Sequence, residues 1–217
     1  MAFTFPLPIT QFFNLLPIET FLFDAPEQMQ EAQTGKGEKI SFELAPQLWG
    51  GDVKFGVMTV AESAQVSGLL DILRPAGRTF YAYDPRRRFP LADPTGSILG
   101  ASAPVIASLT NAREMTISGL PAGYVLSIGD YLAFDYGTPA RRALHQLVQG
   151  VVANGAGLTP VFEVSPIIRP GAAVAAPVTL IRASCKAVLV KGSVTKGTSK
   201  SGISRDMAFR FEQTLGA

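Results

Sequence analysis

The stretch from Gly129 to Arg169 constrains this chain more than any other. It reads GDYLAFDYG over Gly129–Gly137, then ALHQLVQGVVANGAGLTPVFEVSPIIR over Ala143–Arg169. Tyr131-Leu132-Ala133-Phe134 is a short apolar run. Leu144, Leu147, Val148, Val151 and Val152 follow, and beyond Asn154-Gly155-Ala156-Gly157 come Val161, Phe162 and Val164. Asn-Gly between two β-rich runs is a strong hairpin signal, because tight turns need the positive φ that Asn and Gly tolerate. The spacing predicts strands closing into a barrel. No catalytic or metal signature lies in this stretch, so the sequence speaks of architecture and of function through assembly.

The 217 residues can bury a sizeable core, as one large or two smaller domains. Apolar residues make up 47% and the mean hydropathy is +0.24, which excludes general disorder. Only 17% of residues are charged, below the usual quarter of a soluble protein. Surface of that kind is commonly covered by partner subunits. The net charge of +2 is too small to argue for nucleic acid. Pro6, Pro8 and Pro17 interrupt the apolar N-terminus, which lacks a basic region, so no signal peptide is expected. The later apolar run 172–181 contains Pro177 and is half a membrane span, so no membrane anchor is expected and the chain reads as soluble and made in a cytoplasm.

The first third reads as strands followed by a helix. Phe21-Leu22-Phe23 begins an extended segment. Ile40, Phe42 and Leu44 alternate with Ser41 and Glu43, the period of a half-buried strand, after a turn at Gln33–Glu38. Trp49–Asp52 supplies the next turn, and Val53, Phe55 and Val57 alternate again, giving a meander with long projecting hairpins. Thr59 and Glu62 fit a capping box, with Val66, Leu69, Leu70 and Leu73 on one face, so a helix is predicted over Thr59–Arg74. Phe80–Tyr83 is a strand ended by Asp84-Pro85. A proline- and glycine-rich passage follows and marks a boundary. From Val105 to Arg182 short strands and turns are expected, with only a weak helical period at Leu144–Val151. Ala187–Val190 is a strand, Lys191–Gly202 a flexible low-complexity loop, and Met207, Phe209 and Phe211 alternate in a last strand. Residues 1–84 hold five basic and ten acidic residues (−5), residues 85–184 eight and five (+3), and residues 185–217 six and two (+4). Segments of opposite sign can share a sheet or meet between subunits.

Residues in patterns that carry chemistry are few. Gly192–Gly197 has P-loop glycine spacing, but Thr198 stands where the phosphate-binding lysine belongs. Gly35-x-Gly37 and Gly155-x-Gly157 lack the third glycine and following helix of a dinucleotide site. His145 is the only histidine and sits among apolar residues, where a hydrogen-bonded core or interface histidine is the default over a catalytic base. Cys185 is the only cysteine, which excludes an internal disulfide and a cysteine zinc site, and it reads as a strand residue. Asp130 with Asp135, or Glu19 with Asp24, could form a carboxylate pair, but no spacing places either across a cleft. Arg86-Arg87-Arg88 near Phe80, Tyr81, Tyr83 and Phe89 is the most nucleic-acid-like patch, and an inter-subunit or inter-domain surface is the favoured reading. No enzyme, metal or cofactor is expected.

Taken together, FYAYDPRRR (Phe80–Arg88), IGDYLAF (Ile128–Phe134), LHQLVQGVVANGAG (Leu144–Gly157), VSPIIRPG (Val164–Gly171) and a short final strand after a Lys/Ser/Gly-rich segment resemble the distal tail protein family of long-tailed (siphovirus-type) bacteriophages, over nearly the whole chain. The resemblance implies a mainly β (α+β) fold. A belt domain of sheet plus one helix and a long hairpin, residues 1–84 plus 185–217, would close into a hexameric ring. An inserted OB-like β-barrel would occupy residues 85–184. It implies a virion protein at the tail tip that joins the tail tube protein to the hub and receptor-binding proteins, without sequence-specific nucleic acid. No aromatic platform for sugar stacking is evident in the barrel. Another tail-tip component such as a hub or adaptor, a carbohydrate- or receptor-binding module, and a cell-wall-entry enzyme are the alternatives.

Overall fold

A computed structural model describes residues 3–216. The chain enters through the aromatic N-terminal segment. Leu7 bonds through its backbone to Thr79 and Tyr81, and Phe12 and Phe13 are fully buried. Strand β1 (Ile18–Asp24) follows, then β2 (Met29–Gln33), β3 (Lys39–Glu43), β4 (Gly50–Phe55) and the short β5 (Met58–Thr59). Helix α1 spans Val60–Leu73 with Thr59 as N-cap. The Thr59 hydroxyl accepts from the Glu62 amide (3.3 Å) and the Glu62 carboxylate from the Thr59 amide (2.9 Å), closing the predicted capping box. Val66, Leu70 and Leu73 are buried on its inner face, and Leu69 is partly buried. β6 (Phe80–Ala82) ends at Tyr83-Asp84, as the sequence predicts.

The six strands β7 (Val105–Leu109), β8 (Glu114–Ser118), β10 (Tyr131–Tyr136), β11 (Arg141–Leu147), β13 (Phe162–Ser165) and β14 (Val178–Thr179) form one antiparallel sheet in the order β14-β10-β11-β13-β8-β7. Backbone bonds from Ile106 to Ala175 and Ala176, and from Val178 to Pro104, bring β7 back beside β14, so the sheet is a nearly closed barrel. The small strands β9 (Val125–Leu126) and β12 (Val151–Val152) form a separate ribbon. The Asn154 turn forms: its amide bonds Leu158 O, and its side-chain oxygen accepts from Ala156 and Leu158. The flanking strands do not pair into the predicted hairpin, however, because β12 pairs β9 while β13 pairs β11 and β8. Gly157, at φ +73°, lies so close to Leu120 that a Cβ would strike its carbonyl oxygen. That close approach turns the chain away from a simple return. The weak helical period at Leu144–Val151 belongs to β11, whose ladder with β10 overrides it.

The last segment gives β15 (Cys185–Leu189), β16 (Thr195–Lys200) and β17 (Ile203–Gln213). The expected flexible loop Lys191–Gly202 is therefore corrected. Thr195–Lys200 pairs with β17, and the two-residue turn Ser201-Gly202 has φ +51° and +81°. Two consecutive positive φ values are what a tight hairpin turn requires, and Ser-Gly supplies them. β17 is the spine of the first sheet, flanked by β4 and β5 on one side and by β15 and β16 on the other. The sheet order is β1-β4-β17-β15-β6. Met207, Phe209 and Phe211 point inward with the predicted alternation.

One apolar core lies between this sheet, α1 and the N-terminal segment, and a second fills the barrel. β10 and β11 are the shared wall. Tyr131, Ala133 and Leu144 face the first core, while Leu132, Phe134, Tyr136, Ala143 and Leu147 face the second. This two-sided burial explains why Tyr131–Phe134 reads as an unbroken apolar run.

Candidate functional site

His145 points into the barrel, 2% exposed. Its Nδ1 lies 2.7 Å from Pro166 O, and its ring stacks on Phe134 at 5.3 Å. Burial pushes its pKa down to about 4, against the Pro166 hydrogen bond that favours the charged form, so the ring is neutral with Nδ1–H as donor. Cys185 lies in the other sheet, fully buried, and burial pushes its thiol up to about 12. Neither is poised as base or nucleophile. The structure also keeps the candidate carboxylates apart. Asp130 is buried and accepts from the amides of Ser127 (2.7 Å) and Leu91 (2.9 Å); burial, its largest influence, raises its pKa. Asp135 is an exposed partner of Arg142 at 3.2 Å. Glu19 and Asp24 line two different hollows beside β1. Among the described residues no group of three or more His, Cys, Asp or Glu could hold a metal, and no helix is long and apolar enough to cross a membrane.

Arg86, Arg87 and Arg88 have structural partners. Arg86 grips buried Asp84 in a two-pronged pair (3.0 and 2.9 Å), Arg87 donates to Gly129 O, and Arg88 donates to Pro85 O at 3.2 Å. Phe80 and Tyr83 are buried, and the Tyr83 hydroxyl donates to Asn14 at 2.8 Å. Two of the rings that could have stacked on bases, Phe80 and Tyr83, thus belong to the core, while Tyr81 and Phe89 are half-buried, and Arg87 ties the run to the barrel through Gly129 O.

What the fold leaves uncovered is more telling. The β2–β3 hairpin has every residue exposed. Its cross-strand pairs Gln30–Phe42 and Ala32–Ile40 place apolar side chains on one face, with Leu44 next along. The other face carries Met29, Glu31, Gln33, Lys39, Ser41 and Glu43. Ile40, Phe42 and Leu44 are 42%, 60% and 66% exposed, so the half-buried strand expected there is corrected: the described residues leave its apolar face largely uncovered. A two-stranded ribbon is marginal by itself in water. The large sheet also has free edges. β6 is capped by the Leu7 segment, but the outward backbone groups of Glu19–Asp24 on β1 and of β16 find no backbone partner among the described residues.

Sequence reasoning missed the residues that lock the two sheets together. The Trp49 indole N–H donates to Leu144 O at 2.7 Å, and the ring stacks on Phe23 at 4.9 Å. Gln213 accepts from the Trp49 amide (3.2 Å) and donates to Arg142 O (3.2 Å). Arg142 in turn reaches Ser184 O and Thr179. The hydrogen-bonded partners lie 37 to 164 residues apart in the chain, so no local spacing reveals them. A lone tryptophan before a Gly-Gly strand start was the only available signal. The arrangement presents sheet edges and an apolar ribbon on a braced frame. No known protein-family model matches this chain, and no curated protein matches it either.

Proposed function

We propose that this chain is a structural, non-enzymatic tail-tip protein of a long-tailed bacteriophage. In this reading copies assemble into a closed ring, sixfold as the sequence resemblance implies, between the tail tube and the hub that carries receptor-binding proteins. Residues 1–84 plus 185–217 serve as the ring-forming belt, and residues 85–184 as the inserted, OB-like barrel. The observation that carries the reading is the β2–β3 hairpin, an amphipathic ribbon whose Ile40, Phe42 and Leu44 stay exposed among the described residues. Burying such a row against a second copy is the ordinary solution for an exposed apolar ribbon.

Phe42→Asp tests this directly. Phe42 is 60% exposed, so the monomer should melt unchanged. Self-association should weaken by roughly ten- to a hundredfold, the worth of one buried aromatic side chain. Sedimentation velocity on both proteins reads the effect, and unchanged association would remove the hairpin from the interface.

A further inference from the structure

The free edge of β1 lies in a groove. Two adjoining hollows of about 310 and 470 Å³ share Arg86 and follow the strand, the first beside Ile18, Glu19 and Phe21, the second beside Phe23, Asp24 and Ala25. The far wall is the crossover segment with Pro85, Arg86 and Arg88, continued by Tyr131 of the barrel. We propose that this edge and groove accept the β2–β3 hairpin of a second copy, extending the first sheet from one subunit into the next. The proposal rests on the ring reading above and identifies the surface that receives the hairpin.

Three features fit that occupant. Along β1 every second residue turns its N–H and C=O away from β4, and in Glu19–Asp24 none of these groups finds a backbone partner among the described residues. An extended strand is the one ligand that satisfies such a row along its whole length. The Tyr131 hydroxyl has no hydrogen-bond partner among the described residues and lines the larger hollow, where it can donate to an incoming carbonyl. Half-buried Phe21 and Ile18 with buried Leu16 give the hairpin's apolar face something to cover.

Charge selects between the free strands that copies offer. The groove wall holds Arg86 and Arg88, with Asp84 engaged by Arg86. The hairpin segment 27–43 carries Glu27, Glu31, Glu38 and Glu43 against Lys36 and Lys39, a net of −2. Its two lysines can meet Glu19 and Asp24 on β1. The other free edge, β16, carries Lys196 and Lys200 and no acid, and would set like charges against Arg88. Within one copy the hairpin leaves β1 at Asp24 and pairs only with itself, so the acceptor edge stays open.

Cross-linking the full chain tests the assignment. Cys185 is fully buried, so Thr20→Cys on β1 and Ser41→Cys on the hairpin each add one accessible thiol. Mixed and treated with a short bismaleimide, the two variants should form a covalent heterodimer that neither gives alone. Arg88 is exposed and bonds only Pro85 O through its side chain, so Arg88→Glu should leave the melt unchanged while weakening self-association about tenfold. Glu31→Lys with Glu43→Lys should restore it. Cross-linking of Ser41→Cys to Thr198→Cys on β16 instead, or indifference to Arg88→Glu, would overturn the acceptor and leave the ring reading standing. A wild-type chain that stays monomeric and uncross-linked at every concentration would overturn both.

Discussion

Replacing Trp49 with alanine is expected to cost the fold about 4 kcal/mol, the middle of the range for deleting a buried aromatic side chain. The indole is 5% exposed, stacked on Phe23 and set edge-on against Tyr131 at 5.5 Å, with its N–H on Leu144 O across the boundary between the two sheets. Alanine opens a cavity where the two cores meet and leaves the Leu144 carbonyl without its donor. Trp49→Phe should recover most of the packing and still lose roughly 1–3 kcal/mol, because a buried acceptor is left unpaired. As Trp49 is the sole tryptophan, unfolding in denaturant is best followed by circular dichroism. A loss below about 1 kcal/mol for Trp49→Ala would mean that the barrel and the large sheet are stable independently.

The second large effect is in mild acid. The folded pKa of His145 is depressed from 6.5 to about 4, so the fold holds the neutral ring and the unfolded chain binds the proton more readily. The sign follows: stability is full above about pH 6.5, falls as the pH drops below that value, and levels off near the folded pKa. A shift of this size is worth on the order of 3 kcal/mol, with no discount for solvent because the ring is buried. His145→Gln can keep a donor toward Pro166 O but cannot titrate. Its stability should therefore be nearly flat between about pH 7 and about pH 4.5, the window in which wild type declines. Parallel curves for the two proteins would refute the assignment. Below that window carboxylates join in. Buried Asp93 is one: burial raises its pKa, but the amides of Leu99, Ile98 and Gly96 and the Tyr124 hydroxyl outweigh this and hold it down.

The helix and the inward strand faces were readable in the chain because their signals are local. Thr59 and Glu62 fix the helix start through bonds three residues apart, and Met207, Phe209 and Phe211 show their strand by alternation alone. The mainly β character followed from the same patterns. Three elements escaped for identifiable reasons. Thr195–Lys200 has the composition of a linker, and its strand exists because β17 offers a partner across a Ser-Gly turn. Asn154-Gly155 makes its turn, but the partners of the adjoining strands are chosen by barrel closure rather than by the turn. Ile40 and Phe42 alternate as a half-buried strand should, yet among the described residues they remain exposed. That last mismatch is the observation on which the proposed assembly rests. Propensity records a buried face, and the single copy leaves it in water.

In the proposed assembly this surface is covered by further copies in a closed arrangement. Electron microscopy of the purified full chain, at concentrations where sedimentation shows association, measures it most directly. Discrete sixfold rings are expected, with the hairpin lying on the neighbouring subunit. Particles of single copies at every concentration, or open filaments in place of closed rings, would contradict it.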